Sequence, residues 1–201
     1  MDNEENKPFN YDLVVPKGGK IDGLIFENDY VNIPMTLFYS IEVELDTFEI
    51  DNEVIDTSLI LDFISFDIND LKELENRAFD FPIYPERNYI DASVYILWTH
   101  HPVSVSKLTF GKVENDYISV TIDYNIEYLH SNVQDLVVRT LSTNLKLDKI
   151  SIYSEILEPT QDNFDSAVEL MSNFYNIERL ETPRINCNEF DVKNIVFDIK
   201  Q

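Results

Sequence analysis

The sequence contains one cysteine, Cys187, and only four glycines and eight prolines among its 201 residues. A single cysteine excludes an intramolecular disulfide, which suits a reducing compartment. The scarcity of glycine and proline argues against linkers and low-complexity tracts. Charges interrupt every apolar stretch before it could span a bilayer, and the amino terminus lacks the pattern of a secretory signal. We therefore expect a soluble, cytoplasmic protein.

Positive charge is also scarce. The chain has 15 Lys and Arg against 38 Asp and Glu, which gives a formal net charge of −23. No Lys or Arg occurs between Lys20 and Lys72, although acids are frequent there. Such a charge repels nucleic acid and anionic membranes and attracts basic proteins. We expect a basic protein partner, no nucleic acid and no membrane, with general solubility as the alternative reason for the charge.

Apolar residues recur mainly with a period of two, which predicts β-strands. The clearest alternation predicts half-buried strands over Met35–Asp46 and Tyr117–Tyr128. Weaker patterns predict strands over Leu59–Ile68, Tyr89–Thr99, Val103–Gly111, Leu136–Leu141, Leu145–Ile156 and Asn194–Lys200. In the second of these, Trp98 would share the face of Ile96. We expect a hairpin turn at Asn115-Asp116 and a connection near Ser142-Thr143-Asn144.

One amphipathic helix is predicted over residues 162–176 with Asp162 as its cap, and a shorter helical turn at Asp70–Arg77. Long antiparallel strands with one helix predict a mostly β (α+β) fold. The expected architecture is an antiparallel sheet or sandwich with one amphipathic C-terminal helix. The length favours a single domain over residues 1–201, with a disordered tail over residues 1–8. Asp51–Asp56 would be the linker if there were two lobes.

No recognisable catalytic motif is present. His100, His101 and His130 are candidate metal ligands, but adjacent strand residues point to opposite faces and no paired ligand spacing occurs. Cys187 lies in a loop-like context, and no serine sits in a Gly-x-Ser-x-Gly elbow. We therefore predict no enzyme activity, no cofactor and no metal site, with a turn or strand-edge role for the histidines.

Acidic residues of one predicted strand are the first candidate for partner binding. Glu42, Glu44 and Asp46 would project from one face at steps of about 6.8 Å, where like charges repel one another. We infer that this row stabilises nothing within the domain and suits a basic surface on another protein. Glu49 and Asp51 extend the same candidate contact. A plainly solvated face is the alternative.

An aromatic loop is the second candidate. The segment Phe79–Tyr89 is rich in aromatic residues, is interrupted by two prolines and carries Arg87 between acids. Tyr84, Arg87 and Tyr89 could bind a partner, since Tyr and Arg are favoured at interfaces. A packed connection between strands is the alternative.

Four short motifs suggest a family. They are Phe79-Asp80-Phe81-Pro82, Tyr89-Ile90-Asp91, His101-Pro102-Val103 and Phe110-Gly111. In this region, under a third of the chain, the sequence resembles small acidic bacterial immunity proteins encoded beside polymorphic or contact-dependent toxins. The resemblance implies a non-enzymatic protein that neutralises a basic toxin, such as a nuclease. The alternatives are a structural β domain of a phage or secretion assembly and a metal-dependent hydrolase.

Overall fold

The computed structural model describes residues 8–131, 137–187 and 191–200. Its strands are β1 (Pro16–Asn28), β2 (Ile33–Leu45), β3 (Phe48–Ile50), β4 (Glu53–Ile55), β5 (Ser58–Ile64), β6 (Ala78–Asp80), β7 (Asp91–Ile96), β8 (Thr99–Glu114), β9 (Tyr117–Ile126), β10 (Arg139–Ile152), β11 (Arg184–Cys187) and β12 (Lys193–Asp198). Helix α1 spans Phe164–Met171, and 3-10 turns lie at Tyr11–Leu13, Asp29–Val31, Leu71–Leu74, Gln161–Asn163 and Ile177–Arg179. The predicted disordered tail lies outside the described residues except for Pro8.

Seven strands close into a barrel in the order β1-β2-β5-β7-β8-β9-β10. Neighbouring strands are antiparallel except at the closure, where β1 and β10 pair in parallel. Strands β12 and β11 extend from the last residues of β10, β6 adds to β8, and β3 and β4 form a separate hairpin. The mostly β prediction is confirmed, but the open sheet or sandwich is wrong. Alternation reveals a buried face without showing whether the first and last strands meet.

The length of β10 makes the closure possible. Residues 139–146 of this strand pair with β9, and residues 145–152 pair with β1. The predicted break at Ser142-Thr143-Asn144 is wrong, because these residues pair with Thr121, Val120 and Ser119 in a continuous ladder. Leu136 of the predicted first strand lies outside the described residues.

Alternate side chains of the barrel strands fill its interior. On β2 the buried residues are Leu37, Tyr39, Ile41, Val43 and Leu45, and on β9 they are Ile118, Val120, Ile122, Tyr124 and Ile126. These are the faces that the sequence predicts for the two clearest strands. The hairpin at Asn115-Asp116 is also confirmed, with φ values of 47° and 66° at the two turn residues, the backbone that a tight hairpin requires.

Different segments cover the two ends of the barrel. At the end that we call the N-terminal end, the Tyr11 hydroxyl accepts a hydrogen bond from the N–H of Ile126 at 3.0 Å and donates to its carbonyl at 3.2 Å. At the opposite end, the helix end, Ala167 and Met171 of α1 are buried. There the Tyr175 hydroxyl accepts from the N–H of Leu71 at 2.9 Å.

Both predicted helical segments exist, but each is shorter than predicted. The α-helix covers only eight residues, Phe164–Met171, and Asp162 lies in the preceding 3-10 turn rather than at a cap. The shorter segment is the 3-10 turn Leu71–Leu74, where the Asp70 carboxylate accepts a hydrogen bond from the N–H of Lys72 at 2.9 Å. No helix in the described part of the chain is long and apolar enough to cross a membrane.

Candidate protein-binding surface

His101 is a structural residue of the N-terminal end. Its ring is fully buried, its Nδ1 atom accepts from the N–H of Leu129 at 3.0 Å, and its Nε2 atom lies 3.2 Å from the carbonyl oxygen of Ile96. The ring also stacks on Tyr128 with centroids 5.0 Å apart. Both ring nitrogens are therefore occupied by backbone partners, which prevents metal ligation by this side chain.

The other histidines do not complete a metal centre with it. His100 is exposed and packs edge-on against Tyr95 at 5.2 Å, on the face of β8 opposite to His101. His130 approaches the His101 ring at 5.1 Å. Within residues 8–131, 137–187 and 191–200, no group of three or more His, Cys, Asp or Glu side chains is placed to hold a metal ion.

Among the predicted contact acids, Glu42 has partners inside the domain. Its carboxylate lies 3.1 Å from Lys20 Nζ and accepts a hydrogen bond from Ser58 Oγ at 3.2 Å. The register of β1 against β2 places Lys20 directly opposite Glu42. The interpretation that the acidic row stabilises nothing in the domain is therefore wrong for Glu42, because a base that precedes the base-free interval folds beside it.

The other four predicted acids are exposed and follow one another along the chain. Glu44 lies on the outer face of β2, Asp46 follows that strand, Glu49 lies on β3 and Asp51 lies in the β3–β4 turn. None of the four forms an ion pair with any described residue. Exposed acids continue beyond them at Glu53 and Asp56. The N-terminal end of the barrel thus carries a series of negative charges that have no ion-pair partner among the described residues.

The aromatic loop lies between β6 and β7 and presents side chains to solvent. Tyr84 is 72% exposed, and its ring contacts that of Tyr89 edge-on at 5.3 Å. Arg87 is also exposed. The two tyrosines line a groove whose other residues include Asp91, and none of the five predicted acids of β2 and β3 lines it. The structure therefore does not join the two predicted groups in this groove.

A third surface feature was not predicted from the sequence. Leu97 and Trp98 form the turn between β7 and β8, with φ values of 50° and 63°, so the predicted inward direction of Trp98 is wrong. The indole is 94% exposed and lines a groove with Tyr95 and Val54. The apolar alternation of β7 continues in the sequence as far as Trp98, and no Gly or Asn stands at the turn. The turn could therefore not be predicted from the sequence.

The outer side of the barrel closure carries its own ionic cluster. Burial raises the pKa of Asp22 to about 6, and one of its carboxylate oxygens has no hydrogen-bond partner. Burial also opposes ionisation of neighbouring Asp148, but a hydrogen bond from Lys146 and the charge of Lys149 hold its pKa below the ordinary value. Lys146 Nζ lies 2.7 Å from Asp148. Lysines thus compensate acids at the closure, in contrast to the N-terminal end.

Comparisons of the chain with protein-family models, with curated proteins and with solved structures find no match. The described residues define a closed barrel of strands with an acidic end, at which exposed aromatic side chains meet uncompensated carboxylates.

Proposed function

We propose that this chain is a non-enzymatic protein that binds a basic protein partner, and specifically an immunity protein that neutralises a basic toxin. The observation that carries the proposal is the series of exposed acids from Glu44 to Asp51 at one end of the barrel, none of them in an ion pair with a described residue. Acids that form no ion pair with a described residue remain available to a basic surface on another protein.

A nuclease is the toxin class that best fits this charge. Nucleases that bind the phosphate backbone do so with Lys and Arg. An acidic protein competes for the same basic surface and is drawn to it over long distances, which accelerates association. The net charge of −23 would supply this attraction.

The predicted contact residues contribute unequally in this proposal. Glu44, Asp46, Glu49 and Asp51 form no ion pair with a described residue, so they would interact more strongly with the partner. Glu42 forms an ion pair with Lys20 at 3.1 Å and would contribute less to partner binding. Tyr84, Arg87 and Tyr89 would form a second contact for a partner large enough to reach beyond the acidic end.

The test is capture of a partner from lysate of the native host. The full chain is immobilised, loaded at low salt and eluted with a salt gradient, and the eluted proteins are identified by mass spectrometry. Stoichiometric recovery of one basic protein whose activity is inhibited by the chain supports the proposal. Recovery of the chain alone contradicts it.

Self-association in an assembly is the second candidate, and one observation favours it. Phe26, Phe38 and Phe63 form an aromatic cluster outside the barrel, with Phe63 within 6 Å of both neighbours and partly exposed. Exposed apolar clusters often mark contacts between proteins. Light scattering distinguishes the candidates, because an assembly subunit would show a mass that rises with concentration and a monomeric binding protein would not.

A further inference from the structure

The groove beside Trp98 combines aromatic and acidic side chains. It lies between β4 and the β7–β8 turn, and its lining includes Val54, Tyr95, Leu97 and Trp98. Glu53 and Asp56 lie in the same lining, and both are exposed. Three of the apolar side chains, Trp98, Val54 and Tyr95, are among the most exposed large hydrophobic residues of the described chain. Exposed rings bordered by carboxylates are typical of a protein-binding surface.

The chemistry of this lining selects a cation with a flat face. The faces of Trp and Tyr rings attract cations, and Trp is the strongest of the aromatic residues in this respect. A carboxylate pairs best with a guanidinium, which offers several N–H donors in one plane and also stacks on aromatic rings. An arginine side chain can therefore use the rings and the carboxylates of one groove at the same time.

The charge around the groove supports the same occupant. No Lys or Arg occurs between residues 20 and 72 of the sequence, and this interval contains Glu53, Asp56 and the acids of β2 and β3. Neither Glu53 nor Asp56 forms an ion pair with a described residue. An anionic or neutral segment would leave these carboxylates uncompensated, whereas a cationic one complements them.

We propose that this groove binds an arginine side chain of the basic partner, with the guanidinium over the rings of Trp98 and Tyr95 and paired to Glu53 and Asp56. The inference rests on the proposed function, because it supplies the anchor for the same basic partner. It adds a specificity: the partner presents arginine, rather than lysine, to this groove.

The chain provides its own reporter for this groove. Trp98 is the single tryptophan of the sequence, so all tryptophan emission comes from this position. Because the indole is 94% exposed, its replacement removes little internal packing. The Trp98→Ala variant is therefore expected to fold, and circular dichroism checks this.

The experiment uses the full chain with two labelled peptides of equal charge, nona-arginine and nona-lysine, at low salt. Fluorescence anisotropy measures their affinity, and tryptophan emission measures the occupancy of the groove. Nona-arginine is expected to bind more tightly and to change the emission saturably. Trp98→Ala, and separately the Glu53→Gln/Asp56→Asn pair, should weaken its binding roughly three- to tenfold. The matched control is Glu114→Gln/Asp165→Asn, which removes two exposed acids near the helix end and should leave the affinity unchanged.

The outcomes separate the inference from the proposed function. If both peptides bind while the emission and the variant affinities stay unchanged, the groove inference is overturned and acidic capture elsewhere on the chain stands. Equal affinity for the two peptides with equal emission changes overturns the preference for arginine. If neither peptide binds, the groove inference is overturned, and the lysate capture decides the proposed function independently.

Discussion

The backbone N–H of Leu129 donates a hydrogen bond to Nδ1 of the buried His101 ring at 3.0 Å. Nε2 must then carry the proton, and it donates to the carbonyl oxygen of Ile96 at 3.2 Å. Burial lowers the pKa of His101 below its ordinary value. A proton on Nδ1 would face the Leu129 N–H and break this contact. The neutral ring thus links the β7–β8 hairpin to the segment that follows β9.

The first prediction concerns stability below neutral pH. Because the folded-state pKa of His101 is depressed, its contribution to stability is present above the unfolded-state value of 6.5 and is lost as pH falls through the folded pKa. Urea unfolding of the wild type and of His101→Gln between pH 5 and 8 measures this. The variant should be less stable by about 1–3 kcal/mol at pH 8, since buried groups lose partners. The difference in free energy of unfolding between the two proteins should become smaller towards pH 5. A difference that stays constant with pH would contradict a stabilising role for the neutral His101 ring.

The second prediction concerns Asp22, whose contribution to stability depends on pH in the opposite direction to that of His101. Its pKa is raised from 3.8 to about 6 by burial, so its stabilising contribution exists at low pH and is lost as pH rises from about 4 through 6. Asp22→Asn should unfold with the same free energy as wild type near pH 4. At pH 8 the variant should be more stable by about 1–2 kcal/mol, after allowance for partial exposure and for lost attraction to lysines.

Urea unfolding between pH 4 and 8 measures the difference in free energy of unfolding between wild type and Asp22→Asn. Glu114→Gln is the control, because Glu114 is exposed. A variant that is less stable than wild type at pH 8 would show that the lysines outweigh the burial of the carboxylate. The control should change stability by less than about 0.5 kcal/mol at every pH.

The third prediction concerns Tyr11 at the N-terminal end. Its hydroxyl both donates to and accepts from the backbone of Ile126. Tyr11→Phe removes both hydrogen bonds, which should lower the free energy of unfolding by about 1–2 kcal/mol. Thermal or urea denaturation measures this loss, and amide exchange at Ile126 should become faster. Tyr30→Phe is the matched control because Tyr30 is 99% exposed; an equal loss in both variants would argue against the hydrogen bonds.

The fourth prediction separates Glu42 from Glu44. Glu42→Gln weakens a half-exposed ion pair with Lys20, so it should lower stability by under about 1 kcal/mol. Glu44→Gln should leave stability unchanged, because Glu44 is in no ion pair with a described residue. In binding to the captured basic partner, the Glu44 variant should show the larger fall in association rate. A larger effect from Glu42 would contradict the unequal roles assigned to them.

Strand faces could be predicted from the sequence because each requires only local alternation. The buried sides of β2 and β9 and the turn at Asn115-Asp116 follow from this rule. Closure of the barrel could not be predicted, since it depends on which strands meet at residues far apart in the chain. The continuity of β10 through Ser142 was missed because three polar residues in succession interrupt the apolar alternation there. Ser142 and Asn144 are exposed, whereas Thr143 is half-buried on the face of Leu141 and Leu145.

The site was only partly predictable for the same reason. The exposure of Glu44 follows from the strand period of β2, whereas Asp46 lies just after that strand and Asp51 lies in the β3–β4 turn. The pairing of Glu42 with Lys20 depends on the register of β1 against β2. The exposure of Trp98 depends on a two-residue turn in which both residues have positive φ. Such turns usually contain Gly or Asn, and this one contains neither.

The role of the acidic end in partner binding is tested most directly by comparing three immobilised chains on lysate of the native host. One is wild type, one carries Glu44→Gln, Asp46→Asn, Glu49→Gln and Asp51→Asn, and one carries Glu114→Gln, Asp162→Asn, Asp165→Asn and Glu178→Gln. The two variants lose the same four charges, so a general charge effect is equal in both. We measure the salt concentration that elutes the captured basic protein.

We expect the variant at the acidic end to release the partner at much lower salt, or never to capture it, while the control variant retains it as the wild type does. Equal elution from the two variants would contradict the proposed role of the acidic end. In that case net charge alone, rather than the acidic end of the barrel, would govern the interaction.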